Sequence, residues 1–217
     1  MKIGILGGGP VGAAIARLAV EQGYEVMIGS RHPARLIELA EAIGCLVDTV
    51  DAAAKFGEIV VAAIPLGAIE SLPRAAIGNK IVIDAMNYYP ERDEAIAALD
   101  SRTTTTSELV AVQLPQARIV KAFNAILARD LPLQARLPVK GGRRALPIAG
   151  DNPAAKEVIA KLHDKFEFDV IDTGRLEDSW RFERAKPAYC IPFDAVGLQG
   201  ALNQAKRDEE LNEGSWR

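Results

Sequence analysis

A cluster of glycines near the start of the chain limits the possible folds more than any other feature. Residues 2–35 read KIGILGGGPVGAAIARLAVEQGYEVMIGSRHPAR. An apolar run leads into Gly7, Gly9 and Gly12, which have the spacing G-x-G-x-x-G, and an alanine-rich stretch and a second apolar run follow. This order is typical of a strand, a tight turn, a helix and a parallel strand, with the pyrophosphate of a dinucleotide held at the helix N-terminus.

The residues of this turn have separable roles. Gly7 permits the tight turn, Gly9 lets the backbone approach the pyrophosphate, and Gly12 lets the helix pack closely on the strand. Pro10 has no N–H group, which suits the first helical position. We therefore predict a dinucleotide site here; the alternative is a glycine-rich turn without a ligand. The predicted binding residues are Gly7, Gly8, Gly9, Pro10, Val11 and Gly12.

The end of the second apolar run predicts which dinucleotide binds. NAD-binding folds usually place an acidic side chain there, on the 2′-hydroxyl of the ribose. This chain instead has Ser30 and Arg31, with Arg35 one helical turn further and no acidic residue before Glu38. A hydroxyl and two guanidinium groups suit a 2′-phosphate, so Ser30, Arg31 and Arg35 predict NADP(H) as the cofactor. The alternative is that both arginines only solvate the start of a helix.

Short apolar runs alternate with helical stretches along most of the chain. The predicted strands are residues 2–6, 25–28, 45–47, 59–64, 80–85, 118–123, 145–149 and 169–172. The predicted helices are residues 11–22, 34–43, 51–56, 67–76 and 106–112, with a capping box at Thr105 and Glu108, and a further helix opens at Asn152-Pro153. Because several strands are continuously apolar, we predict a doubly wound α/β fold with a mostly parallel sheet covered on both faces.

The length of 217 residues predicts a single domain, 1–217, with a small integral α/β extension from about residue 127. Residues 127–147 include Pro132, Pro138, Gly141, Gly142 and the basic pair Arg143-Arg144, and we expect a loop over the carboxyl edge of the sheet. Residues 204–217 are rich in charge and are interpreted as a solvated helix face and tail.

Composition excludes several classes of protein. The net charge of -3 provides no basic face for nucleic acid. Two cysteines and two widely separated histidines predict no disulfide framework and no metal site. Glycines and a proline interrupt the apolar N-terminal stretch, which argues against a secretory signal, and no run of 18 apolar residues predicts a membrane span. We therefore expect a cytoplasmic protein that has no membrane or nucleic-acid partner.

The ends of the later strands predict where the nicotinamide lies. Ile64, Pro65 and Leu66 end the fourth strand and form an apolar wall for hydride transfer. Asn87 and Asn124 follow the fifth and sixth strands, where each amide either bonds the carboxamide or ribose or simply occupies a turn. The predicted cofactor residues in this region are Ile64, Pro65, Asn87, Ala122 and Asn124, and Asn124 is also assigned to the wall.

No catalytic acid, base or nucleophile stands out. None of Tyr88, Tyr89 and Tyr189 begins a Tyr-x-x-x-Lys pair, and no triad is recognisable. Lys121 lies within a strand and is interpreted as structural. Four aromatic residues either line a pocket for a planar acceptor or belong to the core or a dimer contact. These are Trp180, Phe182, Tyr189 and Phe193.

The chain resembles the coenzyme F420-dependent NADP oxidoreductases and the cytosolic reductase domain of the six-transmembrane ferric reductases. The resemblance is carried by ILGGGPVG, VMIGSRHP, IVVAAIPLGAI, IVIDAMNYY and SELVAVQLPQARIVKAFNAI, within residues 3–126, and continues more weakly to about residue 176. It implies a Rossmann fold with a small C-terminal extension, frequently a homodimer, and direct hydride transfer between NADPH and a deazaflavin or flavin-like acceptor. Beyond residue 176, where an acceptor pocket would be completed, the resemblance is not clear.

Two functions follow from these observations. The first is an NADP(H)-dependent oxidoreductase that passes hydride to a deazaflavin, a flavin or another small acceptor; such a transfer needs aligned rings more than an acid or a base. The second is a non-catalytic NADPH-binding module that senses redox state or regulates a partner. Turnover with any acceptor distinguishes them.

Overall fold

Six parallel strands form the central sheet of the computed structural model, which describes residues 1–134, 142–212 and 214–215. The strand order β3-β2-β1-β4-β5-β6 is that of dinucleotide-binding folds, so the predicted doubly wound α/β fold is confirmed. The strands are β1 (Lys2–Leu6), β2 (Glu25–Gly29), β3 (Leu46–Asp48), β4 (Ile59–Ala62), β5 (Ile81–Asp84) and β6 (Arg118–Lys121).

Helices cover both faces of this sheet. Helices α1, α8 and α9 pack on one face over the apolar side chains of β1, β2 and β6, and helices α3, α4 and α7 pack on the other. Within the described ranges, these elements are connected by three 3₁₀ helices, Pro33–Leu36, Leu66–Ser71 and Leu176–Phe182. The α-helices are α1 (Pro10–Glu21), α2 (Ile37–Ile43), α3 (Val50–Phe56), α4 (Arg74–Ile77), α5 (Pro90–Asp93), α6 (Ala97–Asp100), α7 (Thr106–Gln113), α8 (Leu131–Gln134), α9 (Pro153–Lys165) and α10 (Ala195–Gln204).

The C-terminal part of the chain adds a second, two-stranded parallel sheet. It consists of β7 (Ala145–Ile148) and β8 (Asp169–Asp172), with α9 between them in sequence. An antiparallel bridge between Lys121 and Ala149 connects it to β6. Helix α10 packs with β7 and the segment around Phe182 in a third apolar cluster. On the basis of these contacts, we propose that residues 1–217 form one domain.

Several helix starts agree with the predictions because a side chain caps them. Thr105 Oγ1 accepts from the N–H of Glu108 at 3.1 Å, and Glu108 Oε2 accepts from the N–H of Thr105 at 2.8 Å, which completes the capping box of α7. Asn152 Oδ1 accepts from the N–H of Ala155 at 2.8 Å at the start of α9.

Strand β6 and the helix predicted over residues 67–76 differ from the prediction. Strand β6 ends at Lys121 rather than at residue 123, because Phe123 has φ +59° and leaves the extended conformation. The helix predicted over 67–76 is instead a 3₁₀ helix and the short α4. Leu72 precedes Pro73 and is held in an extended conformation, which separates the two.

The charged tail is not the helix face that its composition indicates. Helix α10 ends at Gln204, and residues 205–212 have no helical structure. The ammonium of Lys186 donates to the backbone carbonyls of Lys206, Arg207 and Glu209, at 2.7, 3.0 and 2.5 Å. These bonds fix the tail against the extension. Within the predicted loop 127–147, α8 and the start of β7 are ordered elements, and residues 135–141 lie outside the described part.

A buried ion pair connects β5 and β6. Lys121 and Asp84 are both fully buried, with Nζ 3.1 Å from Asp84 Oδ2. The same ammonium donates to Met86 O at 2.5 Å and to Thr106 Oγ1 at 2.8 Å, and Ser107 Oγ donates to Asp84 Oδ2 at 2.6 Å. Because every polar atom of this pair has partners inside the protein, Lys121 has the structural role that its sequence position predicts.

Candidate functional site

A cleft of about 270 Å³ opens at the carboxyl edge of the sheet, where three strand ends meet. Backbone bonds continue the sheet beyond these ends: Gly7 N donates to Gly29 O at 3.0 Å, and Ala63 N donates to Leu6 O at 2.9 Å. The loops are therefore fixed extensions of the strands. They contribute Gly7, Gly8 and Gly9 after β1, Gly29, Ser30 and Arg31 from β2, and Ala63, Ile64 and Pro65 after β4.

The glycine turn is a tightly packed part of the cleft with one open side. Gly7 has φ +112°, and a Cβ there would overlap the carbonyl of Ala63. A Cβ on Gly12 would overlap the carbonyl oxygen of Gly7, so α1 lies directly against the turn. A Cβ on Gly9, in contrast, would meet nothing within 4 Å. The open space beside Gly9 leaves room for a ligand to approach the backbone.

Helix α1 presents its uncapped N-terminus beside this open space. Gly9 is the N-cap, Pro10 is the first helical residue, and no side chain bonds the first turn. The N–H groups of the first turn have no partner within the helix, and the helix dipole makes this end positive. No acidic residue lies in the first turn. Val11 and Gly12 therefore offer N–H groups suited to a pyrophosphate.

The predicted 2′-phosphate residues are only partly brought together. Ser30 and Arg31 line the cleft, and Ser30 Oγ accepts from the N–H of His32 at 3.0 Å. Arg35 lies on the exposed 3₁₀ helix Pro33–Leu36 and is not part of the lining. Within the described residues neither Arg31 nor Arg35 forms an ion pair. The Arg31 guanidinium is therefore available to an anion in the cleft.

The predicted apolar wall for hydride transfer lies partly in the cleft and partly in the core. Ile64 and Pro65 line the cleft, whereas Leu66 is fully buried in the core cluster beneath it. Asp93 holds this loop in place, since its carboxylate accepts from Gly67 N at 3.3 Å and from Tyr89 N at 2.9 Å. Burial of Asp93 opposes ionisation, but bonds from Arg92 and these two N–H groups outweigh it and lower the carboxyl pKa.

The two asparagines after β5 and β6 contact each other. Asn87 Nδ2 donates to the backbone O of Asn124 at 3.0 Å, and Asn124 Nδ2 donates to Asn87 Oδ1 at 3.2 Å and to Phe182 O at 3.1 Å. Asn124 is 2% exposed, and its Oδ1 has no hydrogen-bond partner within the described residues. Ala122, before it, is fully buried. Asn87, Ala122 and Asn124 are not part of the cleft lining, so the structure does not bring these three predicted residues together with the glycine turn. The buried Oδ1 of Asn124 is an acceptor that lacks a donor.

Of the four aromatic residues considered for an acceptor pocket, Trp180 lines a cavity. Trp180 lines a second cavity at the carboxyl edge, next to Tyr88. Phe182 and Tyr189 belong to the third core cluster, and Phe193 packs against it. Burial raises the pKa of Tyr189, and its hydroxyl lies 2.5 Å from that of Tyr89. These last contacts attach the extension to the loop after β5.

The cleft also contains residues that the sequence analysis missed. Val50 at the start of α3 and two residues of the Leu66–Ser71 helix, Ala68 and Ser71, complete its lining. None of them belongs to a motif, because only the packing of α3 against β1 and β2 brings Val50 there. In the described part of the chain, no group of three or more acidic, histidine or cysteine side chains is arranged to hold a metal ion. No helix described here is long and apolar enough to span a membrane.

Together these features fit an NADP dinucleotide. The space beside Gly9 and the α1 N-terminus fits the pyrophosphate, and the guanidinium of Arg31 fits the 2′-phosphate. The orphan Oδ1 of Asn124 fits a carboxamide donor. An acidic residue that would instead bind a free 2′-hydroxyl is absent from the Gly29-Ser30-Arg31-His32 end of β2.

Comparisons with known proteins agree with this assignment. Residues 2–88 match the family model described as NADP oxidoreductase coenzyme F420-dependent. Metalloreductase STEAP3 of Rattus norvegicus is 29% identical over 204 residues, covering 91% of this chain, and the chain spans 40% of the length of that relative.

Two solved structures are similar over most of both chains. A candidate F420-dependent NADP-reductase from Arthrobacter sp. FB24 has a TM-score of 0.71 and 26% identity, covering 81% of this chain and 86% of the other. A hypothetical protein from Sinorhizobium meliloti has a TM-score of 0.76 and 26% identity, covering 89% and 94%. Residues 2–88 are thus similar to the coenzyme F420-dependent NADP oxidoreductases, and the fold and the cleft described above agree with that similarity.

Proposed function

We propose that this protein binds NADP(H) in the cleft and transfers hydride directly between the nicotinamide and a deazaflavin, a flavin or another small acceptor. The observation that carries the proposal is the placement of Ser30 and Arg31 opposite Gly7, Gly8 and Gly9 in one cleft. A phosphate-binding turn that faces a hydroxyl and a guanidinium without an ion pair among the described residues favours a dinucleotide with a 2′-phosphate.

The cleft residues, together with Asn87 and Asn124 outside the cleft lining, have the following roles in this proposal. The N-terminus of α1 binds the pyrophosphate, and Ser30 and Arg31 bind the 2′-phosphate. Asn124 accepts from the carboxamide and, with Asn87, orients the ring, while Ile64 and Pro65 exclude water from one side of it. The bound cofactor supplies the hydride, and the protein supplies alignment of the two rings, which accounts for a site without a catalytic acid or base.

Cofactor selectivity tests the binding half of the proposal. In Arg31→Ala the loss of one charge-assisted bond weakens NADPH binding by about 1.5–3 kcal/mol, or roughly 10- to 150-fold, and leaves NADH binding almost unchanged. Arg118→Ala, at the amino end of β6, is the matched control because it removes the same charge at the opposite edge of the sheet. An equal loss for NADPH and NADH in Arg31→Ala contradicts the assignment of the 2′-phosphate.

Turnover tests the catalytic half. Purified protein is mixed with NADPH, and the near-ultraviolet absorbance of NADPH is followed with a deazaflavin, FMN, a ferric chelate or no acceptor. Oxidation with one acceptor class only supports a reductase and identifies that class. Tight binding of NADPH without oxidation by any of the acceptors favours the non-catalytic redox-sensing module instead.

Location and assembly remain part of the proposal. The family resemblance implies a homodimer, and we propose that the protein acts as one in the cytoplasm. The mass in solution, measured by light scattering during size-exclusion chromatography, distinguishes a dimer from the 23.3 kDa monomer.

A further inference from the structure

One buried carboxylate connects the segment after β4 to the loop after β5. Asp93 is the last residue of α5, and its side chain has no exposed surface. Its Oδ1 accepts from the N–H of Gly67, in the 3₁₀ helix that follows β4, at 3.3 Å. Its Oδ2 accepts from the N–H of Tyr89, in the loop after β5, at 2.9 Å. The two segments are therefore joined through one side chain at the carboxyl edge of the sheet.

Arg92 completes the surroundings of this carboxylate. Its Nε donates to Asp93 Oδ1 at 2.9 Å and its Nη2 donates to Asp93 Oδ2 at 2.7 Å, so the guanidinium binds both oxygens as a fork. The same Nη2 donates to the backbone O of Asn87 at 3.0 Å, and the guanidinium lies 4.8 Å from the centre of the Tyr89 ring. The Arg92–Asp93 pair thus holds Asn87 in addition to the two segments.

The backbones of Gly67 and Asp93 are also in close contact. A Cβ at Gly67 would lie 2.9 Å from the backbone O of Asp93 and 3.2 Å from its Cα, so a side chain there would force the two backbones apart. Gly67 directly follows the fully buried Leu66, and Pro65 before it lines the cleft. The position of Pro65 in the cleft therefore depends on how closely Gly67 packs on Asp93.

The same pair reaches the two asparagines that lie outside the cleft lining. Arg92 fixes the backbone of Asn87, and the side chain of Asn87 exchanges hydrogen bonds with Asn124 at 3.0 and 3.2 Å. A continuous set of hydrogen bonds therefore connects the segment that carries Pro65 with Asn124, which the lining of the cleft alone does not do. Alignment of a hydride donor requires such a fixed spacing between the groups around its ring.

We propose that the Arg92–Asp93 pair is a positioning unit for hydride transfer. It sets the distance between Pro65 and the amides of Asn87 and Asn124, and with it the orientation of the nicotinamide. Neither member of the pair belongs to the cleft lining that contains the phosphate-binding residues. The pair therefore controls the nicotinamide half of the cofactor and leaves binding of the adenosine half unchanged. This inference rests on the proposed function, because it takes the ring held by these groups to be the nicotinamide.

Two binding measurements on the full chain test this inference without turnover. Adenosine 2′,5′-bisphosphate reports on the phosphate subsites alone, and the fluorescence anisotropy of bound NADPH reports how firmly the reduced nicotinamide is held. Asp93→Asn keeps the shape of the side chain, but its amide replaces one acceptor oxygen with N–H groups that face the surrounding donors. We expect this variant to bind the bisphosphate like the wild type and to hold NADPH, at saturation, with a lower anisotropy.

Gly67→Ala tests the same connection without a change of charge. Because its Cβ displaces the segment after β4 from the backbone of Asp93, it should also lower the anisotropy and leave bisphosphate binding unchanged. With an acceptor that oxidises NADPH, Asp93→Asn and Gly67→Ala should each lower kcat about 10-fold or more and change the KM for NADPH far less. Arg92→Lys keeps the charge but loses the fork, so its kcat should lie between those of Asp93→Asn and the wild type.

Asp164→Asn is the matched control, because Asp164 also pairs with an arginine, Arg143 at 3.0 Å, but lies near the end of α9 in the extension. It should behave like the wild type in every assay, and urea unfolding shows that each variant is folded.

The inference is overturned if Asp93→Asn and Gly67→Ala both keep the wild-type anisotropy, since the pair then does not position the ring. It is also overturned if their affinity for the bisphosphate falls together with the anisotropy, which would indicate a general loss of structure. Absence of NADPH oxidation with every acceptor contradicts the proposed function alone, because the anisotropy still decides whether the pair positions the nicotinamide.

Discussion

A buried histidine predicts that the stability of this protein falls in mild acid. His163 lies on α9, is fully buried, and stacks on Phe123 with ring centres 4.0 Å apart and an interplanar angle of 4°. Its Nδ1 is 2.8 Å from Ile159 O, and because a carbonyl only accepts, Nδ1 carries the proton. Nε2 has no partner within the described residues. Burial of this neutral ring lowers the His163 pKa from 6.5 to about 4.

The magnitude follows from proton linkage. The unfolded chain binds a proton near the ordinary histidine pKa of 6.5, whereas the folded protein resists it until about 4. Between these values the unfolded state binds more protons, so the free energy of unfolding rises with pH. Relative to pH 8, the His163 contribution is lower by about 2 kcal/mol at about pH 5 and by roughly 3 kcal/mol below about pH 4.

Urea unfolding over this pH range is the assay, with His163→Phe as the main variant. The phenyl ring keeps an aromatic partner for Phe123 and cannot titrate. Carboxyl groups contribute equally to both proteins, so the difference between the two curves isolates His163. His32→Gln is the control, because His32 is exposed and is the only other histidine of the chain. The reasoning is refuted if the free energy of unfolding depends on pH in the same way for wild type and His163→Phe between about pH 5 and pH 8.

Two further predictions concern the turn and the buried ion pair. A Cβ at Gly12 overlaps the carbonyl oxygen of Gly7, so Gly12→Ala should lower the free energy of unfolding by about 1–3 kcal/mol and weaken NADPH binding. Gly9→Ala should also weaken NADPH binding but should leave the free energy of unfolding unchanged, because a Cβ there meets no protein atom within 4 Å. Urea unfolding and NADPH titration check this, and equal stability of the two variants contradicts it. Lys121→Met leaves the Asp84 carboxylate buried without its cation and should cost about 3–5 kcal/mol, while adding Asp84→Asn should cost less than the sum of the single changes. Strict additivity in urea unfolding would show that the two groups are not coupled.

The fold could be predicted because local signals agree with its global pattern. Continuous apolar strands, the glycine spacing and the caps at Thr105 and Asn152 each specify a strand, a turn or a helix start without reference to distant residues. The strand ends were less predictable, since the positive φ of Phe123 is imposed by tertiary structure.

The candidate site was predictable only where a motif carries it. The glycine turn and the Ser30-Arg31 pair belong to one βαβ unit, so their approach is dictated by chain geometry. Val50, Ser71 and Arg207 reach their cavities through packing of segments far apart in sequence. The structure of the tail is also set by a distant residue, because its backbone carbonyls accept from Lys186 and its charge composition does not indicate these bonds.

The bridge between Lys121 and Ala149 has a consequence for how molecules of this protein meet. Lys121 N donates to Ala149 O at 2.8 Å and Ala149 N donates to Lys121 O at 3.2 Å, so the outer side of β6 is already occupied at that point. At the other margin, β3 is only three residues long and ends in Asp48. A neighbouring molecule therefore finds little exposed backbone on which to add a strand, which protects the sheet from edge-to-edge aggregation. We therefore expect copies of the chain to associate through helical and loop surfaces rather than by extending the six-stranded sheet.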